Sequence, residues 1–277
     1  MALEREEYVE QAYFFHALNE RMKQNMSTQD LLVSIRQELL ATTKLPMAVD
    51  FLAGELKLLG VFATAMAMLP HYFTTFQTFV IGEAENDRGR FDFGVALEIL
   101  YREAVYKSQQ PTKQGVFLYQ FETLCRNRLG YDRGLAAVAG DPMFDADWRE
   151  WLSMLRRQIG IIDLADLIYV RSEYYAKSRG GADGESPEKP VLFGDKEGRI
   201  ALANRRRDPL LLFSALQRHL GYPTVPRPPA AVDSQHQLPT ILRRLDRLET
   251  RLKLLEEEQK GGIDLRRFFG DKLPPEE

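Results

Sequence analysis

Residues 92–130 read DFGVALEILYREAVYKSQQPTKQGVFLYQFETLCRNRLG, and the punctuation of this stretch decides the fold class. Asp92 stands where an N-cap carboxylate would accept the first free amides of a helix running to about Lys107. Thr112 does the same for a second helix running to about Arg128. Gly130, like Gly140 further on, sits where a helix C-terminus favours a left-handed residue. No run of alternating β-branched residues interrupts the pattern, so it predicts helix, corner, helix.

The same reading extends in both directions. Tyr8, Ala12, Phe15, Leu18 and Met22 trace one helical face at spacings of three and four. Ser27 to Asp30 resembles a capping box, and Leu31, Leu32, Ile35, Leu39 and Leu40 form the apolar stripe behind it. Leu45-Pro46 opens a third helix, because proline suits the first helical position and disfavours a helical residue before it. Leu69-Pro70 suggests the same device for a fourth, ending near Glu85. Downstream, Asp145 caps a helix carrying Trp148, Trp151, Leu155 and Ile159. Asp163 caps the last one, with Leu164, Leu167, Ile168 and Tyr175 inward. The expectation is an all-α core over 1–178, a multi-helix bundle or an irregular helical array. No residue signature recurs at a fixed period.

Beyond residue 178 the composition changes. Residues 179–189 are polar and glycine-rich and read as a flexible linker. Residues 190–222 read as a small β-hairpin around Gly194 and Gly198, followed by a helix opened by Asp208-Pro209 and closed by Gly221. A Pro-rich linker over 223–237 follows; five of the 14 prolines fall between 223 and 239.

The sharpest pattern lies in residues 238–259. Leu238, Ile241, Leu245, Leu248, Leu252 and Leu255 are spaced three, four, three, four, three, which is a heptad seam with both core positions apolar. Arg244 and Arg251 fall at g, Glu249 and Glu256 at e, so a parallel pair would oppose Arg244 to Glu249 and Arg251 to Glu256. An antiparallel pair would oppose like charges. The charges therefore favour a homo-oligomer through a parallel coiled coil, weak because it has only three heptads. The plainer alternative is a helix packed back on its own core. Residues 260–277 form a tail in which Ile263, Leu265, Phe268 and Phe269 make an apolar segment suited to docking on a protein partner.

Composition bounds the function. Of 277 residues, 44% are hydrophobic and 28% charged, with a formal net charge of −3. Residues 1–170 carry 17 basic against 23 acidic side chains and residues 171–277 carry 20 against 17, so the acidity sits in the core. The apolar run Phe51 to Leu69 is interrupted by Glu55 and Lys57, and the 12 charge-free residues left fall short of the ~20 a bilayer requires. It reads as one helix buried on most of its surface. The charged start, Met1 to Glu7, and the single cysteine point to a cytoplasmic setting with no disulfide framework.

No catalytic constellation stands out. His16, His71, His219 and His236 are far apart and make no metal-binding spacing, so neither a metal nor a cofactor is expected. Asp163 and Asp166 look like helix-capping residues and not an acid/base pair. Arg205 to Arg207 lie in the most basic window, yet an acidic chain makes nucleic acid an improbable partner. Arg126, Arg128, Tyr131 and Arg133 form the densest polar cluster of the core and could hold an anion, since guanidinium groups match phosphate and carboxylate oxygens. Ordinary helix-end chemistry explains them as well. The expectation is a non-enzymatic adaptor or scaffold. The alternative is a small-molecule-binding or enzymatic bundle with an anion pocket near Arg126–Arg133.

Overall fold

The computed structural model describes residues 3–22, 28–86, 91–183 and 189–228. Among these there are thirteen helices and no strand, so the chain is all-α. They are α1 (Arg5–Met22), α2 (Thr28–Glu38), α3 (Leu45–Leu59), α4 (Phe62–Ala67), α5 (Thr75–Ala84), α6 (Phe93–Ser108), α7 (Lys113–Arg126), α8 (Tyr131–Ala139), α9 (Ala146–Gln158), α10 (Leu164–Val170), α11 (Glu173–Asp183), α12 (Asp195–Ala203) and α13 (Pro209–Leu220).

The caps read from sequence hold the helix starts. Asp92 accepts from Val95 N at 2.9 Å, Thr112 from Gly115 N at 3.2 Å, Asp145 from Trp148 N at 3.1 Å and Asp208 from Leu210 N at 2.9 Å. Gly221 closes α13 at φ 69°. The expected capping box at Ser27 begins outside the described residues. At the end of α7 it is Arg128, at φ 55°, that takes the left-handed turn. Gly130, at φ −62°, instead precedes α8, and Gly140 has an ordinary φ of −80°.

α1 lies along α6, α2 against α3, α8 against α9 and α10 against α12. The middle of the core is aromatic. Phe117 of α7 meets Trp151 at 5.0 Å between ring centres and Trp148 at 5.7 Å, both from α9, and Phe193 at 6.3 Å. Buried acids of α1 serve the α2–α3 corner. Glu10 accepts from Leu40 N and Glu7 from Lys44 N, each at 2.8 Å, and Tyr72 donates to the second Glu7 oxygen at 2.8 Å.

Further expectations are corrected. The hairpin over 190–202 is absent: Asp195–Ala203 is helix α12. Gly198, read as a turn, is a close-approach residue, because a methyl there would overlap the Ser172 side chain. The acids Asp195 and Glu197 suit the first turn of a helix. What remains of the expected hairpin's pairing is the isolated bridge of Phe193 to Ser172. Phe51 to Leu69 is not one helix, since Gly60, at φ 69°, ends α3 and the chain restarts as α4. Leu69-Pro70 opens nothing; α5 starts at a capping box of Thr74 and Gln77.

Residues Met1–Pro228 form one unit by their packing. Leu192, Phe193, Leu212, Phe213, Leu216, Tyr222 and Val225 are buried in the same core as α1–α10, so 190–222 is no appendage. Residues 179–183, expected as linker, belong to α11. The coiled-coil segment 238–259 and the tail 260–277 lie outside the described residues.

Candidate functional site

The arginine corner was the sequence's own candidate, and its side chains have separate partners. Arg126 pairs with Glu122, whose other oxygen accepts from the Tyr222 hydroxyl at 2.7 Å. Tyr131 lies against Phe121 at 6.3 Å and bonds Cys125, whose thiol burial pushes up to about 11. Arg133 reaches Glu83 at 3.5 Å across the surface. Arg128 is exposed. The corner mainly seats the last described segment. Asn127 donates to Pro226 O at 3.2 Å, and Arg102 to Thr224 O at 2.7 Å.

A second cluster was not read from sequence. Lys107 Nζ lies 2.6 Å from Asp141 Oδ2 and 3.1 Å from Glu103 Oε1, all three side chains within 2% of full burial. Gln120 Nε2 donates to Glu103 Oε1 at 2.7 Å and Asp141 Oδ2 at 2.9 Å. Burial pushes the Glu103 carboxyl up, and the neighbouring Asp141 charge adds to it, more than Lys107 offsets. Burial also opposes the charges of Asp141 and Lys107, but their contact wins. Asp141 is held below the usual carboxylate value and Lys107 above the usual lysine value. The cluster is then a close Lys107–Asp141 ion pair beside a second carboxyl whose charge burial opposes. Enclosed this fully, it ties α6 to α7 and to the α8–α9 turn; it presents no group to a substrate.

A broad concavity of the described surface lies beside α4, α5 and α8. Glu85, at the end of α5, accepts from Phe62 N at 2.6 Å and Ala63 N at 2.8 Å, which fixes the start of α4. Thr75 Oγ1 donates to Ala137 O at 2.6 Å, which ties α5 to α8. Between them runs a groove of about 580 Å³ with Ala63, Ala67, Gly82 and Ala136 among its lining, Phe73 and Phe79 beside them, and Arg133 as its one ionisable group. Sequence reading missed it because Phe51 to Leu69 was taken as one buried helix. The signal available was Ala63, Thr64 and Ala67, small residues at helical spacing in an apolar run.

The other polar candidates serve the fold. Arg205 pairs with Asp166 and lies over Tyr169 at 5.6 Å, while Arg206 N donates to Asp163 Oδ2 at 2.7 Å. His219 Nε2 is 3.4 Å from Glu197 Oε1. Among the described residues no three His, Cys, Asp or Glu side chains are grouped to hold a metal ion, and no helix is long and apolar enough to cross a membrane. Compared with protein-family models, with curated proteins and with solved structures, the chain matches none.

Proposed function

We propose that this protein is a non-enzymatic helical adaptor that takes a partner segment in the α4–α5–α8 groove and self-associates through residues 238–259. The observation that carries the first half is the groove itself. A floor of small side chains leaves room for large ones from outside, and its single ionisable group offers no acid/base pair for chemistry. Helix-in-groove recognition uses such surfaces, with aromatic or long aliphatic anchors on the incoming segment. The heptad seam with its matched g and e charges supports the second half. Joining two weak contacts raises the apparent affinity for a multivalent partner without any new contact.

A displayed peptide library selected on the full chain tests the groove. Enrichment of peptides with large apolar anchors is expected, with binding lost in Ala67→Trp, which fills the groove while the fold is retained. Selected peptides that bind Ala67→Trp as well as the original chain would overturn the assignment.

A further inference from the structure

We infer that the exposed face of α3 is a self-complementary contact on which a second copy of this chain docks, α3 against α3 in antiparallel order. Met47, Phe51, Gly54 and Leu58 follow one another at spacings of four, three and four, and all four are exposed. Met47 and Leu58 are 76% and 78% exposed, although they belong to one of the most apolar helices of the chain. The inward face of the same helix, Leu45, Val49 and Leu52, is fully buried. α3 therefore has two apolar faces, and the rest of the chain covers one.

Gly54 is the second observation. It sits in mid-helix without a positive φ, and a Cβ built on it would touch nothing within 4 Å. Nothing inside the chain asks for glycine there, and glycine weakens a helix relative to alanine. A bare backbone at the centre of an apolar stripe suits a large side chain arriving from another helix.

A second copy of α3 supplies that side chain. If two such helices run antiparallel about a twofold axis between positions 51 and 54, Phe51 of each lies over Gly54 of the other. Met47 then meets Leu58, so large residues face small ones at the centre and aliphatic residues close both ends. The flanks agree in charge: with 51 and 58 at a and 47 and 54 at d, Asp50 and Lys57 both fall at g. Antiparallel pairing brings g against g, so each Asp50 faces Lys57 of the other copy, twice over. Both Arg36 contacts to Asp50 fall on Oδ2 at 3.0 Å, which leaves Oδ1 for the second cation. Asp50 and Glu55 beside the stripe, with Lys57 among them, give it a border of mixed charge and not the basic one that holds a helix on an anionic lipid surface. The stripe is short, so this contact belongs to the weak class of interfaces. It is independent of the heptad segment.

Sedimentation of the full chain carrying Leu245→Asp and Leu252→Asp isolates this contact from the proposed coiled coil. A reversible monomer–dimer equilibrium is expected below ~1 mM, weakened at least ~tenfold by Phe51→Glu. Asp50→Lys and Lys57→Asp should each weaken it, and the double charge swap should restore it, which a nonspecific apolar contact would not do. Gly54→Gln should weaken the dimer while raising the melting temperature of the monomer, so that loss of association is separated from misfolding. A monomer at all concentrations would overturn the inference and leave the coiled-coil reading untouched. Association indifferent to the charge swap would overturn the antiparallel register. Flotation on phosphatidylcholine vesicles that is lost in Phe51→Glu, with no dimer, would assign the face to lipid and overturn the inference.

Discussion

At the scale of single residues, the account rests on how the core tolerates charge. Lys107 neutralises Asp141 at 2.6 Å while burial pushes the Glu103 carboxyl up. Lys107→Met would leave the buried Asp141 carboxylate without its cation, and a loss of ~3–5 kcal/mol is expected in urea unfolding. Glu103→Gln removes a charge that burial opposes and keeps an oxygen to accept from Gln120, so it should cost less than Lys107→Met. The pH dependence follows from the same directions. Asp141, lowered in the fold, stabilises above its ordinary value of 3.8, and this contribution is lost as pH falls from there through the folded value. Glu103, raised in the fold, works in the opposite sense, so mild acidification should not weaken the protein before Asp141 protonates. Urea midpoints that decline steadily from pH 7 to 5 would contradict this assignment. None of this was legible in the sequence. Glu103 and Lys107 share a helix face, but the partner Asp141 stands 34 residues further on and only the folded chain brings it there.

At the scale of elements, five capped helix starts were legible, the starts of α4, α5 and α12 were not, and neither was helix packing. Asp92, Thr112, Asp145, Asp163 and Asp208 act within three residues of themselves, so composition alone carries them. Gly198 misled because a glycine that permits a turn and a glycine that permits close approach look the same in one dimension. Gly198→Val is expected to destabilise by ~1–3 kcal/mol, since its added carbons meet Ser172 and the Cβ of Tyr174. Gly54→Ala should go the other way and stabilise by ~0.5–1 kcal/mol, with open space around it and a better helix former in place. Thermal unfolding of the two variants side by side checks both signs. The candidate groove was invisible for a related reason: Gly60 divides an apolar run that reads as continuous, and the floor appears only when α4 turns away from α3.

At the scale of the whole molecule, the sequence divides where the packing does not. The glycine-rich composition after residue 178 reads as a break, yet Phe193, Phe213 and Tyr222 are buried like the core residues of α7. Local composition cannot register that an aromatic cluster upstream lacks its last partners. The Pro-rich stretch over 223–237 reads as a second break, and the described residues run into it as far as 228. The adaptor reading then makes its strongest demand on residues 238–259: they must bring copies together. The most direct test is light scattering of the full chain beside the full chain carrying Leu245→Asp and Leu252→Asp, at a dilution where the α3 contact is dissociated. The account predicts an integral multiple of the single-chain mass for the first and the single-chain mass for the second. A single-chain mass for both, or the same multiple for both, would contradict it.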